Sequence, residues 1–357
     1  MTAEQHLALW NPIAVEIHPE AEQINERAND FVLHHLIGKD DAYRDWLGRT
    51  GFGRLAATWF PYAELERVQL AADLISGWGF VMDDLIDDPH LPRDAVTVRL
   101  NRLLRLLDAP QCPPLDDDPL ALALADARTR LVRYATPTQI RRFAWTWRLW
   151  FFGGAWERAQ RALGGPQDLG QATALRLYNV GIGTSTSFCE IAGDYHLDSA
   201  ELTAPAVRAL TEMTWILVAW DNDIFSLPKD LTHDVAEANL TLVLARHYDE
   251  DPAKALIRAV DLRNQVMALF LRLRDRIRPG ASPALALYLR DLGLQIAGYS
   301  HFWHTSSRER EGVDSRYAEL FPHIGVDHEA DDRDPGPAPP VPAIAWWWEC
   351  LDDHPRT

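Results

Sequence analysis

Four carboxylates fall within six residues in the stretch Phe80-Val81-Met82-Asp83-Asp84-Leu85-Ile86-Asp87-Asp88. On a helix Asp83 stacks with Asp87 and Asp84 with Asp88, and each like-charge pair costs about 0.2–0.5 kcal/mol. Position adds a second penalty: the run ends a helix just before Pro89, where the negative end of the macrodipole prefers cations. The ordinary fate of such a run is a solvated acidic turn. Against that, the preceding turns from Leu74 to Met82 are strongly apolar, so the acids emerge from a core helix. A hard divalent cation, Mg²⁺ above all, offsets the repulsion and takes ligand phosphates together with carboxylates. The chemistry suggested is metal-assisted work on a phosphate.

A second polar set follows Trp220: Asp221-Asn222-Asp223-Ile224-Phe225-Ser226-Leu227-Pro228-Lys229-Asp230. If the helix continues, Asn222, Ser226 and Asp230 project in one line as three oxygen donors, with Lys229 beside them. Pro228 removes a backbone hydrogen bond and can kink the helix. The alternative is a helix end at which Ser226 caps the next segment. The two sets are at least 134 residues apart, and both sit at the end of an apolar helix.

The elements that must carry these sets read as helices throughout. Apolar residues recur three and four apart over Ala21–Ile37, Ala63–Ile86, Asp94–Leu107, Pro119–Tyr134, Thr138–Ala162, Ala172–Ile191, Ala206–Phe225, Val235–His247, Pro252–Ile277 and Ser282–Thr305. Strand-like alternation is scarce, which predicts an all-α, single-domain bundle over residues 1–330. Residues 331–357 differ in kind: a Pro/Asp-rich stretch followed by Trp346, Trp347 and Trp348 predicts an extended or disordered tail. Gly153-Gly154 and Gly181-Ile182-Gly183 lie inside helical patterns, so they read as close packing or a helix break rather than phosphate loops. The Phe143, Trp147, Trp150 and Phe151 stripe has helical spacing and reads as core.

Composition removes other classes. The 357 residues carry 35 Lys+Arg against 52 Asp+Glu, a net charge of −17, so the global field repels nucleic acid. Three widely spaced cysteines, Cys112, Cys189 and Cys350, form neither a disulfide framework nor a zinc cluster. No basic-then-apolar leader and no membrane-spanning apolar run is present, so a cytoplasmic location is expected.

Taken together, the two motifs resemble those of the bacterial-type class I terpene synthases. Asp83-Asp84-Leu85-Ile86-Asp87 is similar to that family's D-D-x-x-D motif. Asn222 through Asp230 is similar to its N-D-x-x-S-x-x-K-E motif, with Asp230 in place of the final Glu. An arginine 46 positions before the motif's Asn senses the substrate diphosphate in the family, and here that residue is Arg176. The resemblance extends over roughly Pro12 to Tyr317 and includes Trp156-Glu157. It places Asn179 as the link from the arginine to a helix break and Val180 as the carbonyl facing substrate. An Arg-Tyr pair closes over the diphosphate in relatives. Arg316-Tyr317 is the dipeptide that fits, while Arg308 is the alternative if no insertion follows Trp303.

The resemblance implies an all-α class I terpenoid synthase fold. It also implies a Mg²⁺-dependent cyclase that ionises a linear isoprenyl diphosphate, by analogy farnesyl diphosphate, to a cyclic hydrocarbon or alcohol plus diphosphate. Asp83, Asp84 and Asp87 would hold metal at one motif and Asn222, Ser226 and Asp230 at the other, with Asp83 and Arg176 central to catalysis. Arg176, Lys229, Arg316, Tyr317 and Arg308 would meet the diphosphate. A carbocation then needs a water-free site lined by π faces, for which Phe80 and Trp303 are the best candidates among the chain's 14 tryptophans and other aromatics. The partner is a small molecule, with no nucleic acid and no membrane span, and a homodimer is left open. Two rivals remain: an isoprenyl diphosphate chain-elongating synthase, which normally carries two D-D-x-x-D motifs, and a non-catalytic helical binding protein with a degenerate metal site.

Overall fold

A computed structural model describes residues 7–88, 90–109, 111–165, 168–233, 238–306, 313, 314, 317 and 324–352. After a short strand β1 (Ala8–Trp10) come α1 (Ala21–His34), α2 (Asp41–Thr50), α3 (Phe52–Trp59) and α4 (Leu65–Ala71). α4 widens into a π-helical turn (Ala72–Gly77) and continues as α5 (Trp78–Asp87). Next are α6 (Arg93–Asp108), α7 (Pro119–Tyr134), α8 (Pro137–Arg161), α9 (Leu169–Asn179), α10 (Ile182–Ala192) and α11 (Ser199–Thr203). The remainder holds α12 (Pro205–His233), α13 (Leu240–Tyr248), α14 (Pro252–Ile277), α15 (Pro283–Thr305), strand β2 (Gly325–Asp327) and α16 (Trp346–Asp352). Among the described residues strand occurs only as the parallel pair β1–β2, so the all-α expectation holds.

Local chemistry explains the helix starts. Asp118, Asp251 and Ser282 each accept a backbone N–H of the first turn, and a proline follows each at a position whose own N–H would go unused. The region expected as one helix over Ala172–Ile191 is two, because Gly181 takes a left-handed conformation at φ 75°. No helix among the described residues is long and apolar enough to cross a membrane.

The chain packs as two compact units. One comprises residues Glu16–Ala159 and Tyr178–His196. Its core is an aromatic stack in which Phe143, Trp147, Trp150 and Phe151 of α8 are all buried, as their spacing predicts. Trp147 meets Trp78 at 4.9 Å between ring centroids, and Phe143 meets Phe188 at 5.6 Å. Such pairs contribute about 0.5–1.5 kcal/mol each beyond area burial. In the π turn that leads into α5, Asp73 accepts from Gln69 and pairs with Arg130 at 2.6 Å. Burial still raises its carboxyl to about 6.

Gly153 and Gly154 serve close packing in this unit. A Cβ on Gly153 would stand 2.7 Å from the backbone at Tyr178 and Asn179, and one on Gly154 would stand 2.6 Å from Ile86. Backbone cannot swing aside as a flexible side chain does. Gly153→Ala is therefore expected to destabilise the protein by about 1–3 kcal/mol, read as a lower urea midpoint with unchanged m-value.

The other unit comprises Met1–Val15, Gln160–Leu177 and Leu197–Thr357. Here α12 packs on α14 and α15. Arg263 of α14 and Asp221 of α12, both wholly buried, form a bidentate pair with bonds of 2.6 and 3.2 Å. Arg263 also donates to the Trp10 carbonyl. The C-terminal stretch belongs to this unit as well. Trp347 is buried and donates its indole N–H to Glu212 at 3.2 Å, Val341 and Ile344 are buried, and α16 rests on α12 and α14.

Candidate active site

α12 runs unbroken through Pro228 to His233, so Asn222, Ser226 and Asp230 do share one helical line. Ser226 is buried and donates to Asp230 Oδ2 at 2.7 Å. Asn239, at the cap of α13, donates to the same oxygen at 2.9 Å and to the Asp223 carbonyl at 2.6 Å. Asp230 thus receives two donors that orient it, a support that sequence spacing did not reveal.

Arg176 is brought to this motif. Its guanidinium lies 2.8 Å from Asp223 Oδ1 and donates to Asn222 Oδ1 at 3.2 Å and to the Ala219 carbonyl at 3.1 Å. Asp223 in turn accepts the Leu240 N–H at 3.1 Å. One residue before Asn222, burial pushes the Asp221 carboxyl up against the opposing pull of Arg263. The stretch of α12 around Asn222 is therefore fixed by charge on both sides, through Arg263 at Asp221 and Arg176 at Asp223, and Arg263 is a residue that no motif signals. Lys229 is half-buried.

In the other unit, α5 carries Asp83 and Asp84 half-buried and Asp87 exposed. The Tyr43 hydroxyl donates to Asp84, and Lys39 lies 3.2 Å from Asp88. Asp84 and Asp88 line a pocket of about 250 Å³ with Leu36, Tyr43, Leu85 and Leu120. The His90 N–H and the Lys39 ammonium hold the Asp88 carboxyl below the usual carboxylate range. Asp83 and Asp87 share a face about 100° around the helix from that pair.

The helix break is built in the same unit. Asn179 donates to Glu157 at 2.7 Å, and Trp150 donates its indole N–H to the Asn179 carbonyl at 2.9 Å. A Cβ on Gly181 would meet Trp150 at 2.9 Å, so glycine is required there twice, by contact and by conformation.

Of the expected aromatic faces, Phe80 is half-buried. Trp303 is buried between Tyr299 and Phe302, its indole N–H without an acceptor among the described residues. Trp59, Phe188 and Trp220 are fully enclosed, whereas Trp156 is 37% exposed. Tyr317 is half-buried, with its N–H on the Asp314 carbonyl at 2.9 Å. Arg308 and Arg316 lie outside the described residues.

The donors at α12 suit a hard cation: one carboxylate, one hydroxyl and one amide oxygen, with Asn239 orienting the carboxylate through a hydrogen bond to Oδ2. Among the described residues no three His, Cys, Asp or Glu side chains converge into a metal-holding group. Such a set requires ligand oxygens to complete it, which suits a phosphate-bearing substrate.

Known proteins resemble this chain in sequence and fold. The family model for terpene synthase family 2, C-terminal metal binding, matches residues 75–268, which contain both motifs. Bonnadiene synthase of Allokutzneria albata is 31% identical over 96% of this chain and 96% of its own. The (+)-T-muurolol synthase of Streptomyces clavuligerus, named for cyclising (2E,6E)-farnesyl diphosphate, is 33% identical over 98% of this chain and 84% of its own. In structure, the SVS_A2 protein from ancestral sequence reconstruction matches with a TM-score of 0.83 at 29% identity, covering 97% of this chain and 99% of that one. The fold, the order of the two motifs and these relatives, aligned over nearly the whole chain, agree, and the chain belongs to the bacterial class I terpene synthases.

Proposed function

We propose that this terpene cyclase acts on farnesyl diphosphate with Mg²⁺, releasing diphosphate and a cyclic hydrocarbon or alcohol. The observation that carries the reading is the unbroken line Asn222–Ser226–Asp230 on α12 with Arg176 delivered to its first member. The relative named for farnesyl diphosphate supports the chain length.

Asp83, Asp84 and Asp87 at one motif and Asn222, Ser226 and Asp230 at the other would hold Mg²⁺. When bound, the metal neutralises charge developing on the departing diphosphate. Arg176 and Lys229 add positive charge to the same leaving group, as does Arg316 with Tyr317, or Arg308 in its stead. Local cations are needed because the protein's net charge of −17 repels the substrate. Phe80 and Trp303 offer π faces that stabilise a cation without attacking it. A cytoplasmic enzyme fits this reading.

Incubation with geranyl, farnesyl and geranylgeranyl diphosphates tests it. Pyrophosphate and a cyclic product seen by gas chromatography are expected, most with farnesyl diphosphate, and chelation with EDTA should stop both. A better turnover of geranylgeranyl diphosphate overturns the chain length. Pyrophosphate release from none of the three overturns the reading itself, and a longer diphosphate as product would identify a chain-elongating synthase.

A further inference from the structure

The end of α5 carries Asp83, Asp84, Asp87 and Asp88, and its last turn has no basic residue. Like-charge repulsion and the helix dipole both oppose that arrangement. Besides Lys39 at Asp88, a compensating cation comes from α8. Arg158 donates to the Ile86 carbonyl at 2.5 Å and the Asp88 carbonyl at 3.0 Å through Nη1, and to the Leu91 carbonyl at 2.5 Å through Nη2. One turn earlier Gly154 lets α8 lie directly on the Ile86 side chain.

The choice of acceptors matters. A guanidinium bonded to the aspartates would compete with any metal for their oxygens. Among the described residues, the acceptors of Arg158 are all backbone oxygens, so it fixes the tip and lowers its dipole penalty while leaving the carboxylate oxygens to other cations. The adjacent face of the same stretch of α8 holds the helix break, through Trp150, Gly153 and Glu157. A single rigid helix thus sets the aspartate tip and the break in fixed register.

We propose that Arg158 is a positioning residue for the first aspartate motif, holding the α5 tip in the geometry that binds Mg²⁺. This rests on the Mg²⁺-dependent reading above. Removing a positive charge from near four carboxylates would by itself tighten cation binding, whereas losing the three-point brace loosens it. The sign of the change therefore separates the two effects.

The test uses the full chain with Arg158→Gln and Arg158→Lys. Mg²⁺ is titrated calorimetrically in the presence of inorganic pyrophosphate, and the Mg²⁺ dependence of turnover is measured in parallel. Arg158→Gln is expected to weaken Mg²⁺ binding by about 10–100-fold, the range for groups that orient metal ligands. The half-saturating Mg²⁺ for turnover should rise to match, with Arg158→Lys intermediate and the far-ultraviolet helical signal retained. Should the Gln variant lose that signal, the Lys variant carries the test. Unchanged or tighter Mg²⁺ binding in a folded variant, with a Mg²⁺-dependent parent, overturns this inference alone. A parent that neither binds Mg²⁺ nor turns over substrate overturns the underlying reading with it.

Discussion

Asn222→Ala is expected to lower kcat by at least about 10²-fold, the loss typical when a group stabilising transition-state charge is removed, while the helical signal and melting temperature stay near those of the parent. Asn222 is half-buried, and its side-chain oxygen accepts from Arg176. Arg176 keeps Asp223 and the Ala219 carbonyl in the variant, so the loss of that hydrogen bond costs the fold about 0.5–1.5 kcal/mol. The chemistry loses more. Asn222 is the first of three donors in line, and neither Ser226 nor Asp230 can reach one turn back along α12 to replace it. Asp83→Asn should behave alike, since the amide keeps the shape of the carboxylate and removes its charge. Turnover within tenfold of the parent in both variants, with pyrophosphate release as the readout, would remove the proposed metal roles.

What could be read in advance was what depends on neighbours in sequence. The Asn222–Ser226–Asp230 line is set by helical period, and the doubt raised by Pro228 resolves because only one backbone N–H is missing and the helix runs on to His233. Gly153 and Gly154 read as close packing or a helix break because they lie inside a helical pattern, and the structure shows the packing. The aromatic stripe of α8 was likewise visible in its spacing. Helices α2 and α3 were not: α2 is short and polar, starts on the Asp40 cap and passes into α3 at the left-handed Gly51. The supports of the site were also hidden, because each is a contact between elements that no helical spacing encodes. Arg158 reaches carbonyls near residue 88, Asn239 reaches back to Asp230, and Trp347 finds Glu212. A backbone carbonyl carries no sequence signature, so no pattern search could have matched Arg158 to its acceptors.

Arg263→Met is expected to be the most destabilising of these single changes, at about 3–5 kcal/mol, because breaking a buried pair leaves its partner charge uncompensated. Both members have no solvent exposure, and Asp221 has Arg263 as its bidentate partner. The deficit should depend on pH with a definite sign. Burial already holds the Asp221 carboxyl above its ordinary 3.8 despite the pull of Arg263, and removing the guanidinium lifts it further. Between the unfolded value and this raised folded value the folded chain binds the extra proton, so stability falls as pH rises through the window. The variant should therefore recover part of its loss as pH is lowered from neutrality, seen as a narrowing gap between the two urea midpoints. Adding Asp221→Leu removes the orphaned carboxylate and should restore much of the stability at neutral pH, since apolar replacements of buried pairs are often neutral. A gap that widens on acidification, or a double variant no more stable than the single, would mean that the loss comes from the broken contacts to Trp10 rather than from the buried charge.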